Sequence, residues 1–347
     1  MIGRDRIPHW SLNGQHDEPL ALQARAPFAA AATNSDGRIL ALAEKDGSIK
    51  VWRRADTGSD FARTHSFVLK GLNGRISALT VGPTGDRIAA AADQGNQWMV
   101  GIWNIPEADA KMPIEVKAAR GWKAPAQVYG LALHDDRLAT AGEGGLQVWN
   151  LKTNALHFQP NSLRSKPRSV AFTADGKYLV SAGGLYIQVW DVETGKDRCT
   201  LAFGHRNLEI YTVAVGPSLK EGRGSNRWTV ITSDESGTAR IWEMEPVKPG
   251  TDGKPAAEGR SIRLVERATL SGHAEPIASV SFGTEGKTIA TASEDRTIRL
   301  WDPHSGQERA TLVGHNDSLL LAAFLPEDTA LLSVGRDGSV KLWHGPK

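Results

Sequence analysis

Three residues near one end of the chain have the types of a nucleophilic triad: His315, Ser333 and Asp337. An imidazole, a hydroxyl and a carboxylate in mutual reach would supply a base, a nucleophile and the group that orients the base, which is the apparatus of acyl transfer. The preceding stretch repeats the types as His273, Thr291 and Asp295. Other patterns are weaker. His134-Asp135-Asp136 could suggest a metal, but its composition is that of a solvated turn. The glycine-rich EGRGSN at 221–226 is followed by no helix that would present phosphate-binding amides. The 10 histidines show no paired spacing of metal-ligand type. Cys199 stands alone, so no intramolecular disulfide can form, and a small buried residue in a reducing compartment is expected. Neither a metal nor a cofactor is expected.

The elements that must position these groups are written into a repeat. Seven of the 11 tryptophans end a similar string, at Trp52, Trp103, Trp149, Trp190, Trp242, Trp301 and Trp343. The shortest spacings lie near the ~40–45 residues of a four-strand propeller blade. Each string follows a short apolar run such as RILALA, KYLVSA or KTIATA, and before each run lies another, such as FAAAAT or IASVSF. Asp46-Gly47 and Asp337-Gly338 join run to string, and Asp-Gly supplies the positive φ of a two-residue hairpin. Each unit therefore has three consecutive antiparallel strands, a, b and c. A fourth, d, reads as ATL before Gly272-His273 and Gly314-His315. Helical periodicity is almost absent, so the chain is all-β. A length of 347 residues exceeds the ~250–300 at which a single unrepeated core stops growing, which a repeat accommodates.

The Gly-His opening, the Asp turn and the Trp-Asp ending of SGHAEPIASVSFGTEGKTIATASEDRTIRLWD resemble a WD-repeat blade. The resemblance implies a seven-bladed β-propeller of four-stranded antiparallel blades, one domain over 1–347. It is sharpest in blades six and seven and faintest in two and three. In this family the loop His, a strand-b Ser or Thr, the turn Asp and the strand-c Trp form a hydrogen-bonded tetrad. It maps onto His273, Thr291, Asp295 and Trp301, and onto His315, Ser333, Asp337 and Trp343. Blade five has His205, Thr232 and Trp242 but Ser236 at the Asp position; blade one has His16, Asp46 and Trp52 but Leu42 at the hydroxyl position. The triad-like residues are then structural. A tryptophan wedged between blades needs a partner for its indole N–H, and the hydroxyl supplies it. No catalytic residue is assigned.

A propeller avoids free sheet edges when its first and last blades are joined. Strand c of blade seven ends close to the last residue, and WSLNGQH near the first resembles ATLVGH. Residues 7–13 are therefore expected to complete the last blade.

Because strands alternate, the d–a and b–c connections share one face, here called the top. WD-repeat proteins resemble one another in gripping peptides there, around the central channel. The matching positions are Lys45, Arg75, Tyr129, Lys166, Arg168, Glu209, Tyr211, Glu235, Glu294, Leu320 and Arg336, with Pro19 and Ala21 in blade one. The resemblance implies a non-catalytic interaction scaffold or sensing module that binds a protein or peptide partner. A separate effector subunit such as a protease, kinase or ATPase would be one such partner. Two alternatives stand beside this reading: a propeller enzyme of hydrolase or dehydrogenase type with a central-channel site, and the sensor portion of a larger multidomain signalling protein. With 41 basic and 39 acidic residues and a net charge of +2, no electrostatic footprint for nucleic acid or membrane is present. No apolar run approaches the ~18 residues of a membrane span. Charges at Arg4, Asp5 and Arg6 do not fit a signal peptide, so a cytoplasmic protein is expected. Ala-rich strands and diverged blades are compatible with a bacterial source.

Overall fold

The computed structural model describes residues 17–19, 27–54, 65–95, 97–106, 114–118, 120–202, 208–217, 228–247, 261–283, 286–325 and 330–344. They form seven small sheets arranged as a propeller. An N-terminal strand β1 (Asp17–Pro19) precedes blade one, which holds β2 (Phe28–Thr33), β3 (Ile39–Glu44), β4 (Ile49–Arg53) and β5 (His65–Lys70). Blade two has β6 (Arg75–Val81), β7 (Arg87–Asp93) and β8 (Trp98–Asn104); the chain then makes β9 (Ile114–Lys117) and returns as β10 (Arg120–Ala124). Blade three comprises β11 (Val128–His134), β12 (Arg137–Gly142), β13 (Gly145–Asn150) and β14 (Ala155–Phe158). Blade four comprises β15 (Ser169–Phe172), β16 (Tyr178–Gly183), β17 (Tyr186–Asp191) and β18 (Asp197–Ala202). Blade five has β19 (Ile210–Pro217), β20 (Trp228–Asp234), β21 (Ala239–Pro246) and β22 (Ile262–Leu270). Blade six has β23 (Ile277–Phe282), β24 (Ile289–Ser293), β25 (Thr297–Trp301) and β26 (Glu308–Val313). Blade seven has β27 (Leu319–Phe324), β28 (Ala330–Gly335) and β29 (Val340–His344).

Burial explains the sequence pattern. The second strand of a blade is covered on both faces by its neighbours, so it cannot alternate. Every residue of β3, β24 and β28 is buried. Alanines at 41, 43, 89–92, 139, 141, 290 and 292 keep these strands thin where the sheets converge. The outermost strands touch neighbours less, and β26 mixes buried, intermediate and exposed residues. Seven apolar clusters result, each shared between two adjacent blades. One joins blades six and seven through Leu300 and Trp343; another joins blades seven and one through Leu332, Leu342, Leu40 and Trp52. The ring is thus continuous in its packing. At the blade one–seven seam the Phe28 amide also donates to the Arg336 carbonyl at 3.1 Å.

Two expectations need correction. Blade one has five strands: β9, an excursion from blade two, pairs parallel with β5, Phe67 opposite Ile114 and Lys70 opposite Lys117. The fourth position of blade seven is filled by β1, antiparallel to β29, with Asp17 opposite Trp343 and Pro19 opposite Lys341. Residues 7–13 lie outside the described residues. The positions facing residues 341–343 belong to 17–19. Pro19 therefore lies in an outer strand and not in a d–a connection; Ala21 and His16 lie outside the described residues.

Candidate functional site

The tetrads come first because they hold the triad-like residues. An indole N–H can only donate, which fixes the direction of every bond that follows. Trp301 Nε1 donates to Thr291 Oγ1 at 2.8 Å, and Thr291 donates to His273 Nε2 at 2.7 Å. Nδ1 of His273 then carries the hydrogen and donates to Asp295 Oδ2 at 2.8 Å. Burial lowers the pKa of His273, and Asp295 only partly opposes it. Burial works to raise the Asp295 carboxyl, but hydrogen bonds from Thr297 and His273 outweigh it and hold its pKa low. In blade seven Trp343 donates to Ser333 at 2.8 Å and Ser333 to His315 Nε2 at 2.6 Å. The next link differs: His315 Nδ1 meets Ser339 Oγ at 2.8 Å, and Ser339 donates to Asp337 at 2.6 Å.

The bond directions match those of a hydrolytic triad, so accessibility decides the matter. Thr291 and Ser333 are 0% exposed, and each hydroxyl oxygen is already taken by an indole. Substrate cannot reach them, and the networks hold blades rigid.

Blades four and five keep the hydroxyl acceptor, and blades two and three depart from it. Trp190 donates to Ser181 at 2.8 Å and Trp242 to Thr232 at 2.9 Å. In blade two the residue at the hydroxyl position is Ala90, opposite Gly101. Trp103 turns to the Lys70 carbonyl of blade one, at 2.8 Å. Gly101 makes room for this, since a Cβ there would stand 2.9 Å from the Trp103 ring and 3.1 Å from Leu72. Trp149 Nε1 in blade three is buried and finds no hydrogen-bond partner among the described residues. Blade five, lacking the turn Asp, has buried Asp234 accepting from Arg240 Nη1 at 3.0 Å and from Ser236. Blade one repeats that pair as Glu44 and Lys50, 2.9 Å apart. Each acid lies eight residues before its blade's tryptophan and each base two before it. That shared spacing was readable, but it lies outside the Asp-turn pattern.

His134 ends β11, and Asp135 and Asp136 form the turn to β12, with Asp135 at φ 45°. They border a polar cavity of about 420 Å³ on the face opposite the top. Asp136 pairs with Arg87 at 2.9 Å and Lys152 at 2.6 Å, and His134 Nε2 lies 3.0 Å from the Ala174 carbonyl. These contacts tie blades two, three and four together. Among the described residues no group of three or more His, Cys, Asp or Glu side chains is placed to hold a metal ion.

On the top face, Lys45, Glu235 and Glu294 are exposed on b–c turns, and Arg75 is exposed at the start of β6. Arg336 is half-buried, and its amide donates to the Ser318 carbonyl at 2.8 Å. Leu320 packs against the blade one–seven core. The other five, from blades three, four and five, come together. Arg168 Cζ lies 4.6 Å from the centre of the Tyr211 ring and 5.5 Å from that of Tyr129. Its Nε is 3.5 Å from Glu209 Oε2. The Tyr129 hydroxyl donates to Glu143 at 3.0 Å, and Lys166 pairs with the same carboxylate. Glu143 was missed from sequence; its place directly after the Gly142 that ends β12 was the available signal. The Lys166 hydrogen bond, then that of Tyr129, lowers the Glu143 pKa. Burial, then the bond to Glu143, raises that of Tyr129. The cluster is a charge-balanced platform, two cations against two anions, with an arginine in contact with two rings.

Three stretches, 156–191, 265–302 and 306–344, match the family model described as WD domain, G-beta repeat. Among curated proteins, the chain is similar to nuclear distribution protein nudF of Emericella nidulans, 28% identical over 187 residues, which is 50% of this chain and 38% of that protein. It is similar to WD repeat-containing protein SL1-17 of Schistosoma mansoni, 27% identical over 187 residues, 48% of this chain and 60% of that protein. It is also similar to the tRNA (34-2'-O)-methyltransferase regulator WDR6 of Mus musculus, 30% identical over 128 residues, 33% of this chain and 10% of that protein. The matched stretches thus span less than two thirds of each of these relatives. No helix among the described residues is long and apolar enough to cross a membrane. Seven sheets around one axis, indole-centred tetrads and the matched repeats lead to one family: the chain belongs to the WD40-repeat seven-bladed β-propellers.

Proposed function

We propose that this propeller is a non-catalytic interaction module that binds a protein or peptide partner on its top face, in the cytoplasm. The observation that carries the reading is the convergence of Tyr129, Lys166, Arg168, Glu209 and Tyr211 from three blades. Tyrosine and arginine are the residues that anchor interfaces, and rigid aromatic platforms lose little entropy on binding. Burial of the tetrad hydroxyls supports the non-catalytic part. One relative is named as a regulator of a methyltransferase, which is the kind of role proposed here: recruiting or steadying a separate effector subunit.

The test is affinity capture from the source cell with mass spectrometry, comparing wild type with Arg168→Glu and Arg336→Glu. The reading expects specific partners that are lost with one or both reversals. A partner set indifferent to both moves docking off this face.

A further inference from the structure

We infer that Arg168 is a carboxylate-reading fork, and that the partner segment it accepts carries an aspartate or glutamate side chain seated between Tyr129 and Tyr211. This rests on the top-face docking reading and adds the chemistry of what docks. A guanidinium offers five N–H donors in one plane and meets a carboxylate through two parallel hydrogen bonds when its terminal nitrogens are open. Neither terminal nitrogen of Arg168 makes a hydrogen bond among the described residues; its charged neighbour, Glu209, stands at Nε, 3.5 Å away. Contacts with the two rings, at 4.6 and 5.5 Å, restrict the guanidinium, so less freedom remains to be lost on binding. The Arg168 side chain is 36% exposed, so the open nitrogens have access to solvent.

The nearby anions leave this vacancy in place. Glu143 is engaged by Lys166 and by the Tyr129 hydroxyl, and Glu209 by the near side of Arg168. An incoming carboxylate would meet a cation whose terminal donors are uncommitted. An incoming amine would meet carboxylates that already hold partners and would face the Arg168 charge. The net charge of +2 gives no broad basic field, so selection would come from the fork and not from bulk attraction.

The experiment is selection of a phage-displayed random 12-residue peptide library on the immobilised full chain. Fluorescence anisotropy then follows with an enriched peptide and its Asp→Asn or Glu→Gln counterpart, on wild type, Arg168→Lys, Arg168→Gln and, as a control on the opposite face, Lys177→Ala. Melting temperatures check that each variant is folded. The fork expects enrichment in Asp or Glu. It expects the amide counterpart to bind at least ~10-fold more weakly to wild type, the worth of about one charge-assisted bond. On Arg168→Gln that discrimination disappears. Arg168→Lys also loses most of the affinity, because the charge remains while the planar fork does not, and Lys177→Ala binds as wild type. Enriched peptides that tolerate the amide, or acidic peptides that bind Arg168→Gln as well as wild type, overturn the fork while leaving top-face docking standing. A library that yields no enriched peptide overturns both.

Discussion

His315 donates its Nδ1 hydrogen to Ser339 at 2.8 Å, and Ser339 hands the chain on to Asp337. In blade six the histidine reaches its aspartate directly, His273 to Asp295 at 2.8 Å. The two carboxylates therefore differ in what their removal exposes. Asp295→Ala should cost about 1–3 kcal/mol, because the imidazole N–H loses its 2.8 Å carboxylate acceptor and keeps only the Thr297 hydroxyl, at 3.3 Å. Asp337→Ala should cost less, because the Ser339 hydroxyl still meets His315, while Ser339→Ala should exceed Asp337→Ala. Urea midpoints of the three variants check the order, and equal losses at Asp295 and Asp337 would contradict it.

Asp234 is 1% exposed and depends on Arg240 for its counter-charge. Arg240→Met should destabilise by about 3–5 kcal/mol, the usual consequence of stranding a buried charge. Replacing both, as Asp234→Leu with Arg240→Met, should recover most of the loss. Equilibrium denaturation of the single and double variants decides it; a double variant as weak as the single would show that the pair is not a unit.

The buried His273 also gives stability a pH dependence whose sign can be worked out. Burial holds its folded pKa below the ordinary value, against the pull of Asp295 and Glu308 and together with the push of Arg299. The unfolded chain then binds a proton that the folded chain refuses. This contribution is fully present above about pH 6.5 and is lost as pH falls through that value toward the lowered folded pKa. Melting temperature should fall from pH 7 to 5, and less steeply in His273→Gln, whose midpoint is lower throughout. A parallel pH slope in the variant would assign the effect elsewhere.

Gly101 gives a fourth prediction. A side chain there meets the Trp103 ring at 2.9 Å and Leu72 at 3.1 Å. Gly101→Val should force Trp103 off the Lys70 carbonyl and cost about 1–3 kcal/mol as overpacking. Hydrogen–deuterium exchange of the indole N–H, slow in wild type, should accelerate in the variant. Unchanged exchange would mean that the ring does not need the space.

Much of this was legible in the sequence because the repeat writes one tryptophan at the end of each third strand, and burial on both faces forces the preceding strand to be apolar throughout. The tetrads of blades six and seven were legible for the same reason: type and spacing are both retained. Three things were not. The β9 strand is only four residues long and pairs with a strand far back in the chain, so no local periodicity marks it. The Trp103 acceptor is a backbone carbonyl, which any residue supplies. The segment facing Trp343 was misplaced because WSLNGQH copies the look of an outer strand, while the register at Asp17 comes from pairing across the whole chain. For the candidate site, five of the proposed residues are clustered, yet Glu143, which links Tyr129 to Lys166, has no family position to announce it.

The excursion that forms β9 has a mechanical consequence. Its strand runs parallel to β5, the Ala118 amide donates to the same Lys70 carbonyl that receives Trp103, and the chain then re-enters its own blade as β10. Blade two thus wraps an arm around the rim of blade one. Neither sheet can peel outward alone, and under a pulling force the pair should yield as a single step, with one rip length covering both sheets.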